Sequence, residues 1–228
     1  MHIRLLLVAL FAVASSIASA ATPTEATIEG WHWKFPIPAG YCALDPTKPL
    51  HKRVIDAETA MLPPGGILGA VALDCAGFDS LQKGAWAPTK ELVYMVAKED
   101  STTSFVRGLS RLEYIHAMVQ SIPVAGTANL AKDATKSLKD RTGVEVAVPR
   151  FSLMGQDEYA FYAASLANVT PQSGGAVVSI ASVSAGTKIG MHLFTIRVTQ
   201  KYDADRVYAP MLEETKAAAR EFLHANPW

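Results

Sequence analysis

Two cysteines, Cys42 and Cys75, are the residues of this chain whose type most directly suggests covalent chemistry. A redox-active pair usually occurs as Cys-x-x-Cys, and a reactive thiol usually lies beside a base. Neither pattern is present. The first twenty residues predict export, and two cysteines in an exported chain most simply form a disulfide, with two free thiols or a bridge between chains as the alternatives. We therefore expect a Cys42–Cys75 disulfide that clamps the first helix between two strand ends.

Histidines could supply metal ligands or a general base. The five histidines after residue 20 are scattered, without H-x-x-x-H or H-x-H spacing: His32, His51, His116, His192 and His224. His116 and His192 are the two best placed to act as a ligand or base, because each lies in or beside an apolar run. We interpret all five as structural or surface histidines, and the sequence predicts no metal site.

Asp74, at a strand end beside Cys75, and the pair Asp157 and Glu158 are the carboxylates best placed for acid or base work. The simpler interpretation of these residues is turn formation and helix capping. The chain contains no G-x-S-x-G, H-E-x-x-H, phosphate-loop or G-x-G-x-x-G motif. We therefore predict no catalytic residue and no cofactor.

Trp31 and Trp33 lie two residues apart in WHWKFPI and share one side of an alternating segment. Tryptophan is favoured at interaction hot spots, so this pair is the candidate partner-binding site. The alternative is that the pair forms the core face of a strand. Pro36 and Pro38 cannot donate hydrogen bonds to a strand ladder, which places this strand at an edge or near its end.

The first twenty residues predict an export signal. They contain Arg4, an apolar run over residues 5–14, and Ala18-Ser19-Ala20 in the small-x-small pattern of a cleavage site. Residues 21–27 are expected to be a short leader, and residues 28–228 a single α+β domain. The mature protein is then periplasmic or secreted.

Charge and hydropathy exclude two classes of partner. Without residues 1–20 the chain has 20 basic and 21 acidic residues, so it has no basic surface for nucleic acid. No later stretch approaches the ~20 apolar residues that a spanning helix requires, so we expect no membrane insertion after signal cleavage.

Hydrophobic periodicity predicts the elements that position these residues. A strand over 31–37 is followed by a helix that ends near residue 62, then by strands over 67–75 and 92–97 and a helix whose apolar face runs from Phe105 to Val119. Segments 159–169, 176–185 and 189–202 predict a three-stranded antiparallel meander with turns at 172–175 and 185–188. An amphipathic helix closes the chain. These elements predict an α+β fold with an antiparallel sheet packed against helices.

The opening FPIPAGYCALD and the closing FTIRVTQKYDADRV, which leads into a helix, resemble the PsbP/Mog1-like group. The order of elements over residues 28–225 is similar to that group, and the P-x-G-[FY]-C segment also resembles uncharacterised exported bacterial proteins. The group includes accessory and assembly factors without catalytic activity. The resemblance therefore implies a non-enzymatic role.

Two hypotheses of function follow. The first is a non-catalytic exported domain that binds an as yet unknown protein or small ligand, in an accessory or assembly role. The second is an exported hydrolase whose site is assembled from distant residues, which requires His116 or His192 to meet Asp74, Asp157 or Glu158 in a pocket.

Overall fold

A computed structural model describes residues 24–63, 65–84, 89–97, 108–121, 132, 135–136, 145–170 and 176–227. The strands are β1 Thr24–Ile28, β2 Trp31–Phe35, β3 Tyr41–Ala43, β4 Gly66–Asp74, β5 Lys90–Ala97, β6 Glu145–Gln156, β7 Phe161–Thr170, β8 Val178–Ile189 and β9 His192–Lys201. The helices are α1 Pro49–Met61, α2 Cys75–Gln82, α3 Arg111–Ser121 and α4 Tyr208–Ala225, and a 3₁₀ turn at Asp205–Val207 precedes α4. The predicted signal segment lies outside the described residues.

Seven strands form one sheet in the order β3-β4-β5-β9-β8-β7-β6, and every neighbouring pair is antiparallel. β1 and β2 form a separate antiparallel hairpin. The α+β class and the C-terminal meander, here β7, β8 and β9, are confirmed. The described part of the chain contains no helix long and apolar enough to cross a membrane.

One face of the large sheet carries the main apolar core. Because side chains alternate along a strand, Phe194, Ile196 and Val198 of β9 all point to this face, and all three are buried. α4 covers them with Phe222, whose ring centroid lies 4.8 Å from that of Phe194. β2 packs on the same face, with the Trp33 ring 4.7 Å from Phe194.

The predicted C-terminal amphipathic helix is confirmed as α4. Its buried residues recur at helical spacing, so they form one stripe along the helix: Tyr208, Met211, Thr215, Ala218, Ala219, Phe222 and Leu223. That stripe belongs to the same core cluster as the apolar face of the meander.

The opposite face of the sheet is divided into three parts. α1 and α2 cover an apolar cluster on β4 and β5 that includes Val71, Leu73 and Val93. On β8 and β9 the positions that face this side are mostly polar: Ser182, Ser184, Thr195, Arg197 and Thr199. Beyond this polar strip, α3 covers a small apolar cluster that includes Ile115, Phe161 and Leu193.

Several predicted boundaries were wrong. Residues 24–27, expected in a leader, belong to β1, which pairs with β2 over its whole length. Cys75, expected to end a strand, is the first residue of α2, for which Asp74 is the N-cap. The expected turn at residues 185–188 lies inside β8, and the chain turns at Gly190 and Met191 instead.

The helix predicted from Phe105 begins later in the described residues, at Arg111. Ser110 and Glu113 form a reciprocal capping box, in which the Ser110 N–H donates to Glu113 Oε2 at 2.7 Å and the Glu113 N–H donates to Ser110 Oγ at 3.3 Å. Leu112, expected on the apolar face, is half exposed, whereas Tyr114 and Ile115 are buried. Phe105 itself lies outside the described residues.

Candidate functional site

Cys42 and Cys75 form the predicted disulfide, with Cα atoms 5.0 Å apart. Cys42 lies in β3 and Cys75 starts α2, and β3 pairs directly with β4, which ends at Asp74. The bridge closes a segment that contains α1 and β4. It therefore joins structural elements and leaves neither thiol available as a nucleophile.

The histidines do not assemble with the expected carboxylates. His116 is exposed on α3. His192 is buried at the start of β9, where its ring packs edge-on against the rings of Trp31 and Trp33 at 5.4 and 5.2 Å. His51 is buried on α1, and its Nδ1 accepts a hydrogen bond from the Asp45 N–H at 3.0 Å. Burial lowers the pKa of His51, which favours the neutral, structural form.

Asp74 acts as a structural carboxylate. Its Oδ2 accepts from the Gly77 N–H at 2.9 Å, and its Oδ1 accepts from the N–H groups of Thr89 and Lys90 at 2.7 and 2.9 Å. Burial by itself would raise the pKa of Asp74, but these backbone hydrogen bonds outweigh it and hold the pKa below its ordinary value. A carboxylate that is stabilised in its charged form is a poor proton donor. Asp74 is therefore best interpreted as the cap of α2.

His192 and Asp74 also lie at opposite ends of the large sheet. Asp74 bonds the main chain of Lys90, which pairs with Gln200, whereas His192 is next to Leu193, which pairs with Ala97. At ~3.3 Å per residue, these two positions are about 25 Å apart along β9. No hydrolase dyad can form between them.

Asp157 closes the turn between β6 and β7. Its Oδ1 accepts from the N–H groups of Tyr159 and Ala160 at 2.8 and 3.0 Å, and its Oδ2 accepts from the Tyr162 hydroxyl at 2.8 Å. Glu158, its neighbour, is exposed. Both oxygens of Asp157 thus hold the turn, an arrangement typical of aspartate at this kind of site.

The two tryptophans have different environments. Trp33 is 2% exposed and packs against His192 and Phe194. Its ring is therefore mainly a core element, and a part for Trp33 in partner binding stays a prediction. Trp31, at the start of β2, is 41% exposed, because its position beside the β1–β2 turn places it at the margin of the core.

A groove of about 190 Å³ lies beside Trp31, where β2 meets the end of α4. We call it the Trp31 groove, and its lining residues are Trp31, His32, Trp33, Lys34, Ala225, Asn226 and Pro227. Asn226 fixes its wall: the Lys34 N–H donates to Asn226 Oδ1 at 3.0 Å, and Asn226 Nδ2 donates to the carbonyl oxygens of Lys34 and Phe222 at 2.7 and 2.8 Å. These contacts tie β2 to the end of α4.

Sequence reasoning missed a partly buried cluster of ionisable side chains formed by Glu58, Glu91 and Arg197. Arg197 Nη2 donates to Glu58 Oε2 across the gap between β9 and α1, and the two side chains are 22% and 6% exposed. Glu91 belongs to β5, whose Val93 pairs with Arg197. Arg197 Nε is also buried and has no acceptor among the described residues. The Glu58–Arg197 ion pair anchors α1 to the sheet.

The charge state of this cluster follows from its burial. Burial raises the pKa of Glu91 from 4.5 to about 8; the Glu58 carboxylate acts in the same direction, and the Arg197 guanidinium opposes both. Glu91 is therefore largely neutral at pH 7, beside a charged Glu58–Arg197 pair. A second groove, of about 450 Å³, runs along α1 next to Glu58. Local sequence patterns give little indication of the cluster of Glu58, Glu91 and Arg197, because these residues come from elements that are distant along the chain.

Within the described ranges, no group of three or more His, Cys, Asp or Glu side chains is arranged to hold a metal ion. No model of a known protein family matches the chain, and no curated protein matches it. The functional assignment therefore rests on the geometry of the chain itself.

Proposed function

We propose that this protein is an exported, non-catalytic domain that binds a partner protein through the Trp31 groove, in an accessory or assembly role of the kind that the PsbP/Mog1-like resemblance implies. The observation that carries the proposal is the exposure of Trp31, 41%, at the rim of a groove whose wall is fixed by Asn226. A half-exposed tryptophan on a rigid element can bury a large area at small entropic cost when a partner binds.

Two further observations support it. The Cys42–Cys75 disulfide is the type of cross-link that persists in oxidising compartments outside the cytoplasm. Two of the three candidate carboxylates, Asp74 and Asp157, hold turns and a helix start through both of their side-chain oxygens, and the third, Glu158, is exposed. The binding hypothesis uses the half-exposed part of Trp31, whose ring also packs against His192 at 5.4 Å.

The test is site-specific photocrosslinking in the native host. A photoreactive phenylalanine analogue replaces Trp31 in one variant and Leu112, 50% exposed on α3, in a matched control. The captured protein is then purified, and its affinity for Trp31→Ala and Leu112→Ala is measured. We expect a specific adduct at position 31 and binding weakened by about tenfold or more in Trp31→Ala only. Equal adducts at both positions, or equal affinities, would refute the proposal.

A further inference from the structure

The geometry of the β1–β2 hairpin fixes which backbone groups β2 presents outward. Glu29 and Gly30 form a two-residue turn, with φ angles of 52° and 83°, as a type I′ turn requires. In such a hairpin the flanking residues, Ile28 and Trp31, exchange hydrogen bonds, and the pairs then alternate along the strands. The N–H and C=O groups of His32 and Lys34 consequently point away from β1, to the outer edge of β2.

At Lys34 this outer edge is already paired with an amide. Asn226 accepts from the Lys34 N–H and donates to the Lys34 C=O, which are the two bonds that a residue of a neighbouring strand would make. The side chain of Asn226 therefore takes the place of a peptide group. The edge at this point has the geometry to bind main-chain amides.

At His32, two residues along, the same edge opens into the Trp31 groove. No group among the described residues is hydrogen-bonded to the His32 main chain on this side, and the His32 side chain points to another face, where its Nε2 lies 3.1 Å from Glu25 Oε2. An unpaired strand edge is a template for an additional strand. His32 therefore offers one donor and one acceptor next to a half-exposed tryptophan.

We propose that an extended segment of the partner protein adds to β2 at His32, forming two main-chain hydrogen bonds there and packing an apolar side chain against Trp31. This inference rests on the proposed function, since it names the class of partner that the Trp31 groove binds. The pairing register between the partner segment and β2 also determines which side chains of that segment are favoured. The partner residue opposite His32 lies on the exposed side near Lys34, where an acidic residue is favoured, and its neighbours face Trp31, where apolar residues are favoured.

The test uses short linear peptides, selected from a display library on the wild-type protein with its disulfide intact and counter-selected on Trp31→Ala. His32→Pro removes the outward N–H without removing a β1–β2 bond, and His32→Ala is the matched control that keeps the main chain. We expect His32→Ala to bind a selected peptide like the wild type and His32→Pro to bind it about tenfold more weakly. Circular dichroism and thermal melting of both variants establish that they remain folded.

Methylation of the peptide nitrogens, one at a time, gives a readout that does not depend on protein variants. A paired strand predicts loss of binding at alternate positions only, because alternate N–H groups point to the partner strand. Binding that depends on Trp31 but is equal in His32→Pro and His32→Ala, with no alternation, would overturn strand addition and leave the proposed function standing. The absence of any Trp31-dependent peptide would count against both.

A second copy of the chain or the chain's own C-terminus could occupy the outer edge of β2 instead, and each would give a different experimental result. A wild-type dimer that His32→Pro converts to a monomer, measured by light scattering, would assign the edge to a second copy of the chain. If peptides are recovered only from a selection on a variant that lacks Trp228, the edge is occupied by the chain's own C-terminus. Either result would overturn the assignment to a partner protein.

Discussion

Glu91 is a carboxyl group kept largely neutral on the side of the sheet that α1 covers. Its pKa, raised to about 8 by burial and by Glu58, means that the folded protein retains a proton that the unfolded chain loses near the ordinary pKa of 4.5. Stability contributed by this site is therefore full below about 4.5 and declines as the pH rises toward about 8. The ionisation of Glu91 thus opposes folding at neutral and alkaline pH.

Replacing Glu91 by Gln should flatten this dependence. Gln resembles the neutral acid, so we expect wild type and Glu91→Gln to have similar free energies of unfolding at pH 5 and the variant to be more stable at pH 9, on the order of 1 to 3 kcal/mol. Urea unfolding at both pH values measures this. Glu213→Gln, at an exposed position of α4, is the control and should change neither value. A Glu91→Gln variant less stable than wild type at pH 9 would show that the charged form is the one the fold uses.

Asp74 should show the opposite pH dependence. Its pKa lies below the ordinary value of 3.8 because of its backbone hydrogen bonds, so its contribution to stability is present above that value and lost as the pH falls through the lower folded pKa. We expect Asp74→Ala to cost about 1 to 3 kcal/mol at pH 7 and the difference from wild type to narrow in acid. Asp79→Ala, at an exposed site of the same helix, is the matched control. A constant difference across the acid range would contradict this account.

At the scale of elements, the β1–β2 hairpin is held against the sheet by a close approach at Gly69. A Cβ at this position would lie 2.6 Å from two ring atoms of Phe35 and 3.2 Å from the Tyr94 carbonyl oxygen. The Phe35 ring is fully buried and packs against Tyr94 and Phe222, so it has no free space to enter. Gly69 therefore sets how closely β2 packs on β4.

Gly69→Ala should accordingly destabilise the fold by about 1 to 3 kcal/mol. Gly108→Ala is the control, because no atom lies within 4 Å of the position its Cβ would take. Urea unfolding gives the difference in stability, and near-ultraviolet circular dichroism reports changes in the packing of the aromatic side chains as a whole. Equal stability of the two variants would mean that Phe35 can move, contrary to its packing.

Strong periodicity explains which elements were predictable. β9 and α4 follow the periods of two and of three to four over ten or more residues, and both were predicted. β6 was missed because EVAVPRFSLMGQ contains Pro149 and Gly155, residues typical of loops. α2 was missed because eight residues give a helical period little room, although Asp74 at its start is a capping signal.

The candidate site was predictable only in part, for a related reason. Trp31 is exposed because it lies beside a turn, and Trp33 is buried because it lies over Phe194. Alternation along β2 predicts the same environment for both residues, so it could not distinguish them. The hydrogen bond from Asn226 to Lys34 joins residues that are 192 positions apart in the sequence. Side-chain pairings across such separations follow from tertiary packing, which local patterns do not encode.

At the scale of the whole molecule, the disulfide acts on the unfolded state. Cys42 and Cys75 are separated by 33 positions, and closing a loop of this size lowers the entropy of the unfolded chain, which stabilises the fold by about 3 to 4 kcal/mol. We expect Cys42→Ala/Cys75→Ala to lose about this much in urea unfolding. A reducing agent should destabilise the wild type and leave the double variant unchanged. Wild-type protein that takes up two alkyl groups without prior reduction would contradict the disulfide.

The strand order has a consequence for the order of folding during synthesis. β5 lies between β4 and β9 in the sheet, with Leu92 paired to Val198, so its second partner leaves the ribosome roughly a hundred residues after β5 itself. Until then the N-terminal strands have an open edge and no α4 to cover their core face. We therefore expect the nascent chain to remain loosely structured until its synthesis is almost complete.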